Sequence, residues 1–187
     1  GEYVISTLKD LQYNVSFLDD NCIAEGGEFF FLPKENVLLA GQCRNNLRGA
    51  EQMAEKLKVS NLHIINSSGY HLDTSISPIF NDEYDCIGLI CAREVFSDNE
   101  INNLRSICRS NQWELIEIEH QNINSSLSFR TAMNGLTLPG LFISSKKLNQ
   151  KPISDFALSN GIAFDSTEVS QFNLSGGSVH CLTNELF

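Results

Sequence analysis

What narrows the fold most is a repeated order of elements. Helix-forming stretches begin near residues 47, 98 and 152, spacings of 51 and 54, and each follows two short apolar runs and precedes a third. A period of this size marks a chain of stacked supersecondary units, none of which buries its apolar face alone. In the first unit Phe29–Leu32 and Val37–Ala40 read as strands, and Leu47, Ala50, Ala54 and Leu57 fall on one face of a helix near 47–58. The strand Leu62–Ile65 closes it. The second unit runs through Ser75–Phe80 and Asp85–Ile90 to a helix near 98–109, opened by the capping box Ser97-Asp-Asn-Glu100, with Trp113–Ile118 as its closing strand. The third has Ala132–Leu136, Gly140–Ser144, a helix from Pro152 to Asn160 stopped by Gly161, and Ile162–Phe164.

The flanks carry halves of further units. Val4, Leu8 and Leu11 give a helical pattern and Val15–Leu18 a strand, while Ser178–Thr183 reads as the first strand of another unit. No Pro/Gly/Ser linker or low-complexity tract breaks the series, so residues 1–187 read as one α/β domain of ββαβ units.

Composition bounds the partners. Thirteen Lys and Arg against 23 Asp and Glu give a net charge of −10, a field that repels phosphate backbones and draws in small cations. Nucleic acid is therefore not an expected partner. No apolar stretch approaches the roughly 20 residues of a membrane span, and Gly1-Glu-Tyr-Val-Ile5 lacks a basic n-region, so neither a membrane segment nor a targeting signal is expected. Six cysteines at irregular spacings fall well short of a disulfide scaffold, which makes a reducing, cytoplasmic compartment the simpler expectation. The glycosylation-type triplets at Asn14, Asn66, Asn124 and Asn173 are what a chain rich in Asn and Ser produces by chance.

Each junction between units carries a polar cluster at a corresponding place: Glu25-Gly-Gly-Glu28, His71-Leu-Asp-Thr74, Arg130-Thr-Ala-Met-Asn134 and Gly176-Gly-Ser-Val-His-Cys181. In a closed ring of repeats, equivalent positions converge on the pseudo-symmetry axis, so four distant segments can build one site. A Cys, a His and carboxylates meeting there have the parts for nucleophilic catalysis: a thiol to attack, an imidazole to move protons, acids to hold a cation.

These residues carry a resemblance. Glu25-Gly-Gly-Glu-Phe29, Gly41-Gln-Cys-Arg-Asn-Asn-Leu-Arg-Gly-Ala-Glu51, His71-Leu-Asp-Thr74 and Ser175-Gly-Gly-Ser-Val-His-Cys-Leu-Thr183, in that order, resemble the guanidino-modifying enzymes. That superfamily includes the dimethylarginine dimethylaminohydrolases, arginine deiminases and amidinotransferases, and its fold is the pentein, a five-unit α/β propeller. The resemblance implies Cys181 as nucleophile, His71 as general acid/base, Glu25 and Asp73 as carboxylates holding guanidinium nitrogens, and Arg44 for the substrate's α-carboxylate. It implies a small cationic guanidino substrate, no metal or organic cofactor, and hydrolysis of a guanidinium C–N bond of arginine or an N-methylarginine to citrulline through a covalent thiouronium. An amidinotransferase and a non-catalytic pentein binding module stay open beside it. Glu28 stands where the family has Asp, and Asn45 where it has Thr; Asp73 is like arginine deiminases and amidinotransferases.

Five units of about 52 residues need about 260, and 187 residues hold about 3.6. The expected architecture is therefore a pentein-type propeller lacking its N-terminal part, completed by a preceding segment or an associated chain. Residues 3–18 would supply the helix half of the unit begun by Ser178–Thr183. Other residues read as structural. His63 alternates within an apolar strand. His180 neighbours Cys181 on an expected strand, where successive side chains point to opposite faces, so His71 is preferred as its base. Cys86 and Cys91 are five apart on a strand, an odd offset that places them on opposite faces and argues against a zinc pair. Glu117 and Glu119 alternate outward as a solubilising face.

Overall fold

The structure, a computed structural model, describes residues 2–119 and 133–183. Its elements run α1 (Glu2–Asp10), β1 (Phe29–Leu32), β2 (Val37–Gly41), α2 (Leu47–Leu57), β3 (Asn61–Ile65), β4 (Ile76–Phe80), β5 (Cys86–Ala92), α3 (Asp98–Asn111), β6 (Glu114–Ile118), β7 (Leu136–Leu138), β8 (Leu141–Ser144), α4 (Lys151–Asn160), β9 (Ala163–Ser166) and α5 (Ser170–Leu174). The described strands form three small sheets of one plan. Two strands pair as an antiparallel hairpin, and after the helix a third lies parallel beside the middle one, in the orders β1-β2-β3, β4-β5-β6 and β7-β8-β9. Parallel neighbours need a crossover, and the helix of each unit supplies it.

Burial explains why the middle strands are unbroken apolar runs. β2 is buried at every position and β5 at every position but Ile87, as strands covered on both faces must be. Along β5, Leu89 and Cys91 face a core shared with the first unit's Leu32, Val37 and Leu39, whereas Ile90 and Ala92 face a core shared with the third unit's Phe142, Ile153 and Phe156. The second unit is thus stacked between its neighbours. Local chemistry sets the helix ends: Asn46 Oδ1 accepts from the Gly49 N–H at 2.7 Å, Ser97 Oγ from the Glu100 N–H at 3.2 Å, and Gly161 stops α4 with φ at 68°. Among the described residues no helix is long and apolar enough to cross a membrane.

Five expectations need correction. Residues 15–18 form no strand, and neither do residues 178–183, where His180–Leu182 is a 3-10 turn. A strand requires a partner ladder, and the N–H groups of this turn are bonded elsewhere, that of His180 to the Asn134 carbonyl at 3.2 Å. The helix α1 forms but buries no residue, so a unit joining residues 3–18 to 178–183 does not exist among the described residues. The third unit's first strand starts at Leu136, because Met133 and Asn134 are used as side-chain and carbonyl anchors; Ala132 lies outside the described residues. Finally, Cys86 and Cys91 share one core. Phe80 pairs with Cys86 while Ile79 pairs with Gly88, a β-bulge whose extra residue, Ile87, reverses the alternation. Burial raises all three core thiols, Cys86 strongly and Cys91 and Cys108 up to about 12, which leaves them protonated and inert at neutral pH.

Candidate functional site

Three short turns converge on one cavity. Gly26–Glu28 leads into β1, Leu72–Thr74 leads into β4, and His180–Leu182 lies near the end of the described chain. The first two are joined by Glu28, which is fully buried. Its Oε1 accepts the Arg44 N–H at 2.6 Å and its Oε2 the Leu72 N–H at 3.0 Å, so one carboxylate ties the segment after β2 to the turn before β4. Burial raises the pKa of Glu28, opposed by those two N–H bonds. Room for it depends on Gly41, where a Cβ would stand 1.9 Å from Oε2.

Two imidazole–carboxylate pairs sit beside this anchor. His71 Nε2 lies 2.7 Å from Glu25 Oε2, with the His side chain 18% and the Glu side chain 46% exposed. A carboxylate accepts, so Nε2 is the donor and Nδ1 is left toward Gly27, where a Cβ would come within 2.7 Å of it. His180 Nδ1 lies 2.9 Å from Asp73 Oδ2. Asp73 is buried, and its Oδ1 has no hydrogen-bond partner. Cys181 is exposed, and Asn134 holds the turn that bears it, its Oδ1 accepting the Cys181 N–H at 3.2 Å.

His71, Asp73, His180 and Cys181 line a cavity of about 460 Å³ whose apolar wall is Phe29 and Phe31 of β1 with Met53 and Leu57 of α2. Of the residues singled out in the sequence, His71, Asp73 and Cys181 therefore meet there. Glu25 joins them through His71, its carboxylate engaged by the imidazole. Arg44 stands outside the lining: exposed, it stacks 4.3 Å over the Tyr70 ring, which in turn packs on His71 at 4.5 Å. His180 reverses an expectation. Because its segment is a turn and not a strand, it faces the same cavity as Cys181. His63 is partly buried on β3, away from these turns, and burial lowers its pKa. Arg130 and Thr131 lie outside the described residues.

Sequence reasoning passed over Glu28 and Asn134 as working parts. Both stand in junction clusters, Glu25-Gly-Gly-Glu28 and Arg130-Thr-Ala-Met-Asn134, but their roles as anchors depend on Leu72 and Cys181, 44 and 47 residues away. Among the described residues no three of His, Cys, Asp and Glu converge closely enough to hold a metal ion.

No protein-family model matches the sequence, and no curated protein matches it. Solved structures do. The N-terminal domain of ArgZ bound to product, an arginine dihydrolase from the ornithine–ammonia cycle in cyanobacteria, superposes with a TM-score of 0.76 at 20% identity, over 98% of this chain and 63% of its own. AgrE in ternary complex with ornithine and NAD+ gives 0.76 at 21% identity over 97% of this chain and 25% of its own. A cysteine-to-serine mutant of DDAH from Pseudomonas aeruginosa, complexed with citrulline, gives 0.62 at 17% identity over 95% of this chain and 64% of its own. The chain has the α/β pentein fold of these proteins, and it spans 63% of the ArgZ domain's length.

Proposed function

We propose that the cavity binds the guanidinium of arginine or an N-methylarginine and that Cys181 cleaves one of its C–N bonds by hydrolysis. The observation that carries this reading is the convergence, in one cavity, of a thiol, an imidazole paired with a carboxylate, and a buried carboxylate with one unpartnered oxygen. A guanidinium is a poor electrophile because its charge is delocalised. Asp73 would hold it by hydrogen bonds, and the thiolate of Cys181 would attack its central carbon. His71, oriented by Glu25, protonates the departing ammonia or amine, and the C–N bond breaks to leave a thiouronium on sulfur. The same imidazole then takes a proton from water, whose oxygen adds to the carbon; the C–S bond breaks, citrulline leaves and the thiolate is restored. Arg44, at the rim beside Tyr70, would receive the α-carboxylate.

Among the similar structures ArgZ is an arginine dihydrolase and the DDAH complex holds citrulline, which supports the same substrate class. Mass spectrometry after incubation with arginine, methylarginines and agmatine tests the proposal. Citrulline and ammonia are expected from arginine; ornithine would instead indicate a second hydrolysis, and no product from any of the three would leave a binding site without this chemistry.

A further inference from the structure

The turn that carries Cys181 also carries a second imidazole, and the hydrolytic steps above leave it unused. His180 reaches across 107 residues of sequence to Asp73, and its ring packs against Phe30 with centroids 5.4 Å apart. Asp73 is only 2% exposed, and its Oδ1 is buried without a partner. A buried carboxylate with one oxygen satisfied and the other open is costly until a donor completes it. The carboxylate is also confined from the side. A Cβ at Gly27 would lie 3.1 Å from Asp73 Oδ2 and 2.7 Å from His71 Nδ1, so both imidazole–carboxylate pairs flank the same bare backbone position.

We propose that His180 is a positioning residue that sets substrate choice, by holding Asp73 Oδ2 and leaving Oδ1 as the one acceptor offered to a guanidino group. The proposal rests on reading the cavity as a guanidinium site. A terminal nitrogen that keeps its hydrogens completes Oδ1. A dimethylated one turned to Oδ1 brings it no hydrogen and strands a buried charge, so asymmetric dimethylarginine is confined to the orientation that presents its remaining NH2 and must place both methyl groups elsewhere in the cavity. Without His180 the carboxylate can turn and offer either oxygen, so the preference weakens although the negative charge remains.

Protection of Cys181 from iodoacetamide in the full chain, by arginine or by asymmetric dimethylarginine, reads occupancy of the cavity without requiring turnover. Arginine is expected to protect at concentrations at least about tenfold lower than dimethylarginine. His180→Asn, whose amide nitrogen overlays Nδ1 and still donates, should keep that ratio, and His180→Ala should reduce it to less than about threefold. An undiminished ratio in His180→Ala, an equal loss in His180→Asn, or no protection of the unaltered chain by arginine overturns the assignment. The expected ratios without turnover uphold it and defeat the hydrolytic reading instead. Should His180→Ala fail to fold, NMR of the ring nitrogens in the unaltered chain decides: a proton on Nδ1 supports the pairing with Asp73, and a neutral ring protonated only on Nε2 overturns it.

Discussion

The seam between the first two units has two ends with opposite electrostatics. Where β1 and β4 begin, Glu28 is fully buried, spends both oxygens on backbone N–H groups, and has its pKa raised by desolvation. Where the same strands end in hairpin turns, Lys34 meets Asp85 in an ion pair of 2.8 Å with side chains 46% and 51% exposed, and Asp85 has its pKa lowered, chiefly by its hydrogen bond to Lys34. One carboxylate organises backbone at the expense of its own hydration; the other remains in water and organises little. The difference teaches where to look for chemistry in a repeat fold. Equivalent strands build both ends, but only the end that withdraws Glu28 and Asp73 from solvent holds its turns firmly enough for a candidate site.

The sharpest contrast between the ends is chemical. Cys181→Ala is expected to lower kcat for a guanidino substrate by at least about 10³-fold, while Lys34→Ala leaves kcat unchanged. Steady-state assays of both variants check this, and a comparable loss in Lys34→Ala would break the division.

Gly41→Ala attacks the anchor sterically. The new Cβ would stand 1.9 Å from Glu28 Oε2 and 3.0 Å from Leu72 Cβ, so the carboxylate must leave its two donors or β2 must shift. A loss of about 1–3 kcal/mol in denaturant unfolding is expected, together with impaired turnover. Unchanged stability would mean that Glu28 moves aside freely and is no anchor.

Much of this plan is legible in the sequence. Apolar runs, the Ser97 cap and the Gly161 stop place the hairpins and helices because each is decided within a few residues. His71, Asp73 and Cys181 are legible because each sits in a short motif at a unit junction. What escapes depends on distant partners. Val179 and Cys181 alternate with polar residues as a strand would, and only the acceptors on Asn134 make that segment a turn. The same change of backbone brings His180 onto Asp73, a contact no local pattern encodes. The bulge at Ile87 is equally invisible, since it is defined by the register of β4 against β5.

Glu28→Gln separates charge from shape. Glutamine has one acceptor oxygen, so either the Arg44 or the Leu72 N–H loses its partner, at an expected cost of about 1–2 kcal/mol. The sign with pH is fixed by the raised pKa. Between its ordinary value of 4.5 and its higher folded value, Glu28 binds more proton in the folded state, so its contribution to stability falls as pH rises through that window. Thermal unfolding followed against pH should show this component in the unaltered chain and not in Glu28→Gln. An identical pH profile in the two proteins would show that folding leaves the proton affinity of Glu28 unchanged.

The smallest effect belongs to the hairpin end. Asp85 has a lowered folded pKa, so its contribution is present above its ordinary 3.8 and disappears as pH falls through the folded value, the opposite slope from Glu28. Lys34 also donates to the Glu83 carbonyl, yet its side chain is half in water and loses conformational freedom to make either bond. Asn81 continues to donate to Asp85 when Lys34 is gone. Lys34→Ala at neutral pH is therefore expected to move Tm by no more than about 2 °C, and salt should shrink even that difference, because exposed charges are screened within a Debye length. A larger shift that persists in high salt would show that the hairpin end holds the seam as firmly as Glu28 does, and the contrast between buried and exposed acids would then not divide the site from its scaffold.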